Sequence, residues 1–168
     1  MRVAVTGTPG TGKTTATTAL STELSVIHLN EVIREAGLYG DRDDDRDSVI
    51  ADFDAVESYL ADHEDVVFES HLAHNFDADR VVVLRAHPET IERRLAERGE
   101  SPESVAENAE SEALDVVLAE AVERHGEDSV YEIDTTDRDP DAVAAAIAAV
   151  IEGERDPAVG TVSFIDYL

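Results

Sequence analysis

The chain has no cysteine, a single lysine and no long apolar run. Without cysteine there are no disulfides, no thiolate metal sites and no thiol nucleophile. The longest apolar stretch, Ala142 to Ile151, falls far short of the roughly 20 residues that span a bilayer, so no membrane partner is expected. No secretory leader is expected either, because Met1 runs almost at once into a strand pattern. No basic patch appears, which argues against direct binding to bare nucleic acid. All twelve basic residues other than Lys13 are arginine. Guanine-specific GTPases read their base with Asn-Lys-x-Asp, and that motif cannot be written with the lysine at position 13. The ABC-transporter signature LSGGQ is also absent.

Acid is what the chain has in excess. It carries 39 Asp and Glu against 13 Lys and Arg, a formal charge of −26 over 168 residues. Such charge commonly accompanies disorder, yet 42% of the residues are hydrophobic and fall in strand-like and helix-like runs. A folded protein adapted to high salt reconciles the two. At 1 M salt the Debye length is about 3 Å, which screens a carboxylate surface. The expected setting is therefore the cytoplasm of a halophile, with self-repulsion loosening the fold at low salt. The length predicts one domain.

Strand and helix patterns alternate along the chain. Strands are predicted at Arg2–Thr6, Ser25–Leu29, Asp65–Glu69, Arg80–Arg85 and Ser129–Ile133. Helices are predicted at Thr14–Leu24, at Asn30–Ala36 (capped by Asn30), at Val49–Asp62, from Pro88 to about Arg98, after a break at Gly99–Pro102 on to about His125, and at Asp139–Ile151. Between them, Leu38–Ser48 is expected to be irregular and very acidic. Nearly continuous apolar strands alternating with helices predict a three-layer α/β domain, a parallel sheet covered on both faces. The tail from Glu152 to Leu168 is open to several readings: an added edge strand, a flap, a docking peptide or a simple packed terminus.

The lone lysine sits in Gly7-Thr-Pro-Gly-Thr-Gly-Lys-Thr14, which matches the phosphate-binding pattern G-x-x-x-x-G-K-[ST] with a strand before and a helix after. Glycines let the backbone wrap a phosphate, and successive N–H groups with the helix N-terminus supply a positive cradle. A compact ammonium reaches between two phosphates where a planar guanidinium does not fit. Lys13 is expected to bridge the β- and γ-phosphates of ATP, Thr14 to bind Mg²⁺ and Thr15 to help hold the α-phosphate. The third strand ends in Glu69, a candidate Mg²⁺ partner, with His71 two residues on and able to face the phosphates. Arg85, ending the fourth strand, is a candidate to face the cleft, whereas Arg93 and Arg94 are expected at the surface. By fold analogy the adenine site is expected near Thr135 and Thr136. A small nucleotide or metabolite kinase, or a compact ATPase, fits these features.

GTPGTGKTT, NEVIREAGLY, FESHLAH, VVVLRAHPETIERRLAERG and AENAESEALDVVLAEA occur in that order. Together they resemble the adenylate kinase isoenzyme 6 family, over about residues 1–150. The resemblance implies a five-stranded P-loop kinase fold of the nucleoside monophosphate kinase type. It implies broad-specificity γ-phosphate transfer from ATP to AMP and other monophosphates, an accompanying ATPase activity, and a link to small ribosomal subunit maturation through a transient complex with a basic platform protein. On this resemblance the kinase domain is 1–152 and the ATP loop is Gly10, Thr11, Gly12, Lys13, Thr14 and Thr15. The monophosphate-binding region runs from about residue 28 to 51, with Arg34 holding the acceptor phosphate. The lid lies near 97–107, with Arg98 on ATP. The family's Asp-x-His appears here as Glu69-Ser-His71, one methylene longer, and His71 inherits a role in hydrolysis.

Overall fold

A computed structural model describes residues 1–43 and 48–168 of the chain. Five parallel strands form the main sheet: β1 (Arg2–Thr6), β2 (Ser25–His28), β5 (Val66–Glu69), β6 (Arg80–Arg85) and β7 (Val130–Asp134). Their spatial order is β2-β5-β1-β6-β7. Side chains alternate across each strand, so the sheet feeds two cores. Ala4, Phe68, Val81 and Val83 pack on one face, while Val3, Val5, Val67, Val82 and Leu84 pack on the other. Buried on both faces, β1, β5 and β6 carry unbroken apolar stretches over residues 3–5, 66–68 and 81–84, as a parallel sheet favours, whereas β7 holds the buried Glu132 among its apolar residues. The predicted three-layer α/β architecture with five parallel strands is the one observed.

Helices α1 (Lys13–Thr18) and α7 (Pro140–Ile151) bracket one face, with Ala16, Ile147 and Val150 in its core. On the other face lie α2 (Leu29–Glu35), α3 (Phe53–Ala61) and α6 (Val116–His125), through Ile33, Leu60 and Leu118. Two further helices, α4 (Pro88–Glu97) and α5 (Pro102–Ala113), pack on each other beyond the carboxyl ends of the strands. The chain leaves β1 toward β2 on one side and later reaches β6 on the other. The loop after β1 therefore lies at the point where strand order reverses, the usual ligand crevice of open α/β sheets.

Several local expectations are corrected. Helix α1 ends at Thr18, not Leu24; Thr17 and Thr18 turn their hydroxyls back onto the carbonyls of Lys13 and Thr14, at 2.9 and 2.7 Å, which competes with continued helix. Asn30 lies inside α2 instead of capping it, and its side-chain oxygen accepts from Ser70. The stretch expected to be irregular contains β3 (Tyr39–Asp43), paired antiparallel with β4 (Ser48–Ala51), so Val49–Ala51 is strand and helix α3 begins only after Asp52, its cap. The acidic residues 44–47 lie outside the described residues. The long helix predicted to His125 is broken at Leu114–Asp115. Asp115 adopts φ 57°, a conformation Asp tolerates better than most residues, and its carboxylate accepts from Arg85 at 2.5 Å.

The tail does not hang free. Ala158 bridges to Tyr131 on the outer side of β7, and Thr161 donates twice to Glu132. Phe164 packs edge-on against His87 with ring centroids 5.3 Å apart. Tyr167 Oη donates to Glu92 Oε1 at 2.5 Å, which pushes the phenol up to about 12. Among the described residues, no helix is long and apolar enough to cross a membrane.

Candidate active site

Residues 7–14 turn from the end of β1 into α1, and the turn needs glycine. A Cβ on Gly7 would meet the Leu84 carbonyl oxygen at 2.6 Å. Gly12 sits at φ 90°, which side chains rarely adopt, as it aims the loop into the helix. Lys13 then folds back along the loop. Its Nζ donates to the main-chain oxygens of Gly7 and Thr8, at 2.9 and 3.1 Å. Only 8% of this residue is exposed. Burial pushes its pKa down to about 8; Glu69 opposes the shift and Arg98 adds to it. At neutral pH the ammonium is still the main form.

Glu69, at the end of β5, meets two side chains on one oxygen. Thr14 Oγ1 donates to Oε1 at 3.0 Å, and His28 Nδ1 lies 2.9 Å from the same atom. The register explains this convergence, since His28 is the cross-strand partner of Glu69 and Val5 flanks it on the other side. A hydroxyl and a carboxylate side by side are hard oxygen donors suited to Mg²⁺, which takes few protein ligands and keeps water and phosphate oxygens. Among the described residues no group of three or more His, Cys, Asp or Glu forms a dedicated metal cage.

A cavity of about 100 Å³ lies between these groups, lined by Gly10, Lys13, Thr14, Glu69, His71 and Arg98. His71 is pushed down to about 4, first by burial and then by Lys13 and His74, so its imidazole is neutral at pH 7. Arg98 caps the end of α4 and also lines a second, larger cleft of about 350 Å³. There Thr11, Gly12 and Thr15 face Thr135, Arg138 and Val143. Gly12 and Arg98 line both spaces, one small and polar, the other large enough for a flat ring. A third cavity, of about 310 Å³, shares Pro9 and His71 with the polar one and reaches His74, Asn108 and Glu120.

Residues 3–115 match the AAA domain family. Proteins bearing the name "Putative adenylate kinase" align along the whole chain. The one from Natronomonas pharaonis is 66% identical over 168 residues, and the one from Halobacterium salinarum 62% over 169, each covering 100% of both chains. That of Methanocaldococcus jannaschii is 38% identical, over 100% of this chain and 97% of its own. This chain belongs to the archaeal adenylate kinase family that they form. Among solved structures, shikimate kinase from Acinetobacter baumannii superposes with a TM-score of 0.63 at 15% identity, covering 92% of this chain and 94% of that one. Deoxyadenosine kinase from M. mycoides gives 0.54 at 16%, covering 91% and 100%. At such identities they establish the P-loop kinase fold alone.

Most residues singled out from the sequence of this family member converge. Gly10, Thr11, Gly12, Lys13, Thr14 and Thr15 line one or both of these neighbouring spaces, and Glu69, His71 and Arg98 close the polar one. Thr135 lies in the cleft wall, whereas Thr136 turns away to Asp134 and His87. Arg34 does not join them. It is exposed in the last turn of α2 and lines neither space, although it stands four residues beyond Asn30, on the helical face that reaches the polar cavity.

Two arginines were misplaced by sequence reasoning. Arg94, expected at the surface, donates from Nη1 to the Gly10 carbonyl at 2.9 Å and lines the larger cleft. Its spacing of four from Arg98 was the available signal, because the two share a helical face. Arg85, a candidate for the cleft, is instead buried at 1% exposure. It contacts Glu112, Glu132 and Asp115 at 2.9, 2.6 and 2.5 Å. Burial alone would lower its pKa, but Glu112 and Asp115 drive it upward.

Proposed function

We propose that this protein is a nucleoside monophosphate kinase that transfers the γ-phosphate of Mg²⁺-ATP to AMP, giving two ADP, with ATP hydrolysis as an accompanying activity. One observation carries the proposal: one polar cavity gathers Lys13, Thr14, Glu69, His71 and Arg98, and it shares Gly12 and Arg98 with a ring-sized cleft beside Thr135. The names of the archaeal relatives support the same acceptor class.

In this reading the base of ATP occupies the larger cleft and its phosphates lie along residues 10–15. Lys13 exchanges its main-chain partners for the β- and γ-phosphate oxygens. An AMP phosphate oxygen attacks the γ-phosphorus as the bond to the β,γ-bridging oxygen breaks, and that oxygen leaves as part of ADP. Charge spreads over the moving phosphoryl group, so fixed positive groups matter most; Lys13 and Arg98 are those groups. Mg²⁺, held by Thr14 with Glu69, neutralises phosphate charge when bound. Residues 28–51 form the monophosphate-binding region, and Arg34 holds the acceptor phosphate after α2 moves inward. The third cavity, touching Pro9 and His71, gives the acceptor room beside the terminal phosphate. Residues 97–107 act as a lid, hinged at Gly99 (φ 83°) and restarted by Ser101, which caps α5. Residues 1–152 are the catalytic domain, and 153–168 a packed tail.

A second reading, an ATPase switch in ribosome assembly, is favoured by His71. A neutral imidazole inside the phosphate cavity is able to orient a water molecule for attack. In that reading the −26 charge attracts a transient basic platform protein of the small ribosomal subunit, and the cytoplasm of a halophile is the setting. A coupled assay in molar KCl separates the readings. ADP formation that depends strongly on AMP is expected for the kinase. Equal rates with and without AMP, rising when the ribosomal partner is added, would instead support the switch.

A further inference from the structure

Among the described residues, Thr8 takes part in four hydrogen bonds at the start of the phosphate loop. It is 1% exposed. Its main-chain oxygen accepts from Lys13 Nζ at 3.1 Å, Thr11 Oγ1 at 2.9 Å and Thr11 N at 3.2 Å. Its hydroxyl points the other way and donates to Glu112 Oε2 at 2.6 Å. Glu112 belongs to the last turn of α5, 104 residues along the chain, and is 2% exposed. Its second oxygen accepts from Arg85 Nε at 2.9 Å and from the Ala86 amide at 3.0 Å.

A buried carboxylate behind a polyphosphate site works against anion binding and costs desolvation unless it is paired. Packing alone does not call for one there. Arg85 supplies the pairing, and Arg85 is itself clamped from the far side. Its Nη1 donates to Glu132 Oε1, and the other oxygen of Glu132 takes Thr161 N and Oγ1 at 2.8 and 3.0 Å. Phe164 covers the guanidinium, 5.4 Å from the ring centroid. The carboxylate is thus held rigidly, and a strong charge-assisted hydrogen bond aims at one hydroxyl of the loop.

We propose that Glu112 is a positioning residue for the phosphate loop: it fixes Thr8, and through Thr8 the main-chain oxygen against which Lys13 is set. The proposal rests on the reading of this loop as the ATP site. Glu112 touches neither nucleotide nor acceptor; it acts through Thr8. Because the proposed lid includes the first half of α5, residues 102–107, the same contact ties the start of the loop to the far end of a helix that begins in the lid.

The test uses the full chain in molar KCl, with Mg²⁺-ATP binding by calorimetry, steady-state kinetics with AMP, and thermal melting. Thr8→Val and Glu112→Gln are expected to weaken ATP binding and lower kcat, together by about tenfold or more, since small misplacements of aligned groups are expensive. Thr8→Ser, which keeps the hydroxyl, is expected to behave as wild type. The double variant Thr8→Val with Glu112→Gln is expected to be no worse in ATP binding and kcat than the poorer single variant, because Glu112 reaches the loop through the Thr8 hydroxyl that Thr8→Val already removes. A Thr8→Val protein that melts lower yet keeps its ATP Kd and kcat would overturn the proposal. So would Thr8→Ser failing as badly as Thr8→Val, or losses that add in the double variant. Should Glu112→Gln not fold, the two Thr8 variants decide alone, as they leave the Arg85 cluster intact. Wild-type protein that binds ATP but leaves AMP unchanged sinks the kinase reading, and Glu112 is then judged on the binding constants. Wild-type protein that binds no ATP overturns both.

Discussion

Thr14 and Glu69 are hydrogen-bonded, hydroxyl to carboxylate, across 55 residues of chain. The contact joins the first turn of α1 to the end of β5 and places two oxygen donors where the loop opens. Removing the metal with EDTA is expected to abolish turnover, and Glu69→Ala is expected to shift the Mg²⁺ concentration needed for half-maximal rate upward by about tenfold or more. Glu69→Asp, which shortens the side chain by one methylene, is expected to retain much of the activity. A Mg²⁺ titration of each variant checks both.

Lys13→Met is expected to lose about 3 kcal/mol or more of transition-state stabilisation, a fall of at least about a hundredfold in kcat/KM. The fold should survive, because among the described residues the Lys13 ammonium donates only to the loop carbonyls of Gly7 and Thr8. Circular dichroism beside the coupled assay separates lost chemistry from lost structure.

Arg94→Ala is expected to raise the KM for ATP about tenfold, since it frees the Gly10 carbonyl and removes a wall of the larger cleft. Arg93→Ala, one residue away and outside both spaces, is expected to leave kinetics unchanged. Equal effects from the two would mean that Arg94 contributes only surface charge.

Arg85→Met is expected to destabilise the protein by about 3–5 kcal/mol, because Glu112 and Glu132 would remain buried without their cation. Methionine fills similar volume, so the loss comes mainly from charge. Replacing Glu112 and Glu132 by glutamine together with Arg85→Met is expected to recover part of it. Denaturant unfolding in high salt gives the comparison.

Salt should govern stability. With a formal charge of −26, the melting temperature is expected to rise markedly between dilute buffer and molar KCl as carboxylate repulsion is screened. An unchanged melting temperature would refute the halophilic reading, whatever the catalytic results.

The sheet was legible in the sequence because strands of a parallel sheet covered on both faces are nearly continuous in apolar residues, and each such run proved to be a strand. Local physics failed where tertiary pairing overrode it. Val49, Ile50 and Phe53 show helical spacing, but Val49 and Ile50 lie in β4, paired with β3. The helix expected to reach His125 broke because Arg85 drew Asp115 into a left-handed turn.

The active-site loop, by contrast, is a local object. Glycines at fixed spacing, one lysine and a hydroxyl suffice to specify a phosphate cradle, so Gly10 to Thr15 could be named from the sequence. The sequence also determined the charge of the molecule, the absence of thiol chemistry and the exclusion of a guanine-reading motif. Which arginine does what was decided only by the fold. Arg85, Arg94 and Arg98 look alike in the chain, since a long cation is equally at home in water, in a cleft or against a carboxylate. Position in three dimensions separates them: Arg98 lines the phosphate cavity, Arg94 is tied to Gly10, and Arg85 is sealed between two glutamates. The pairing of Glu112 with Thr8 was likewise invisible, because no periodicity links residues 104 positions apart. Only the packing of α5 across the ends of the strands brings them together.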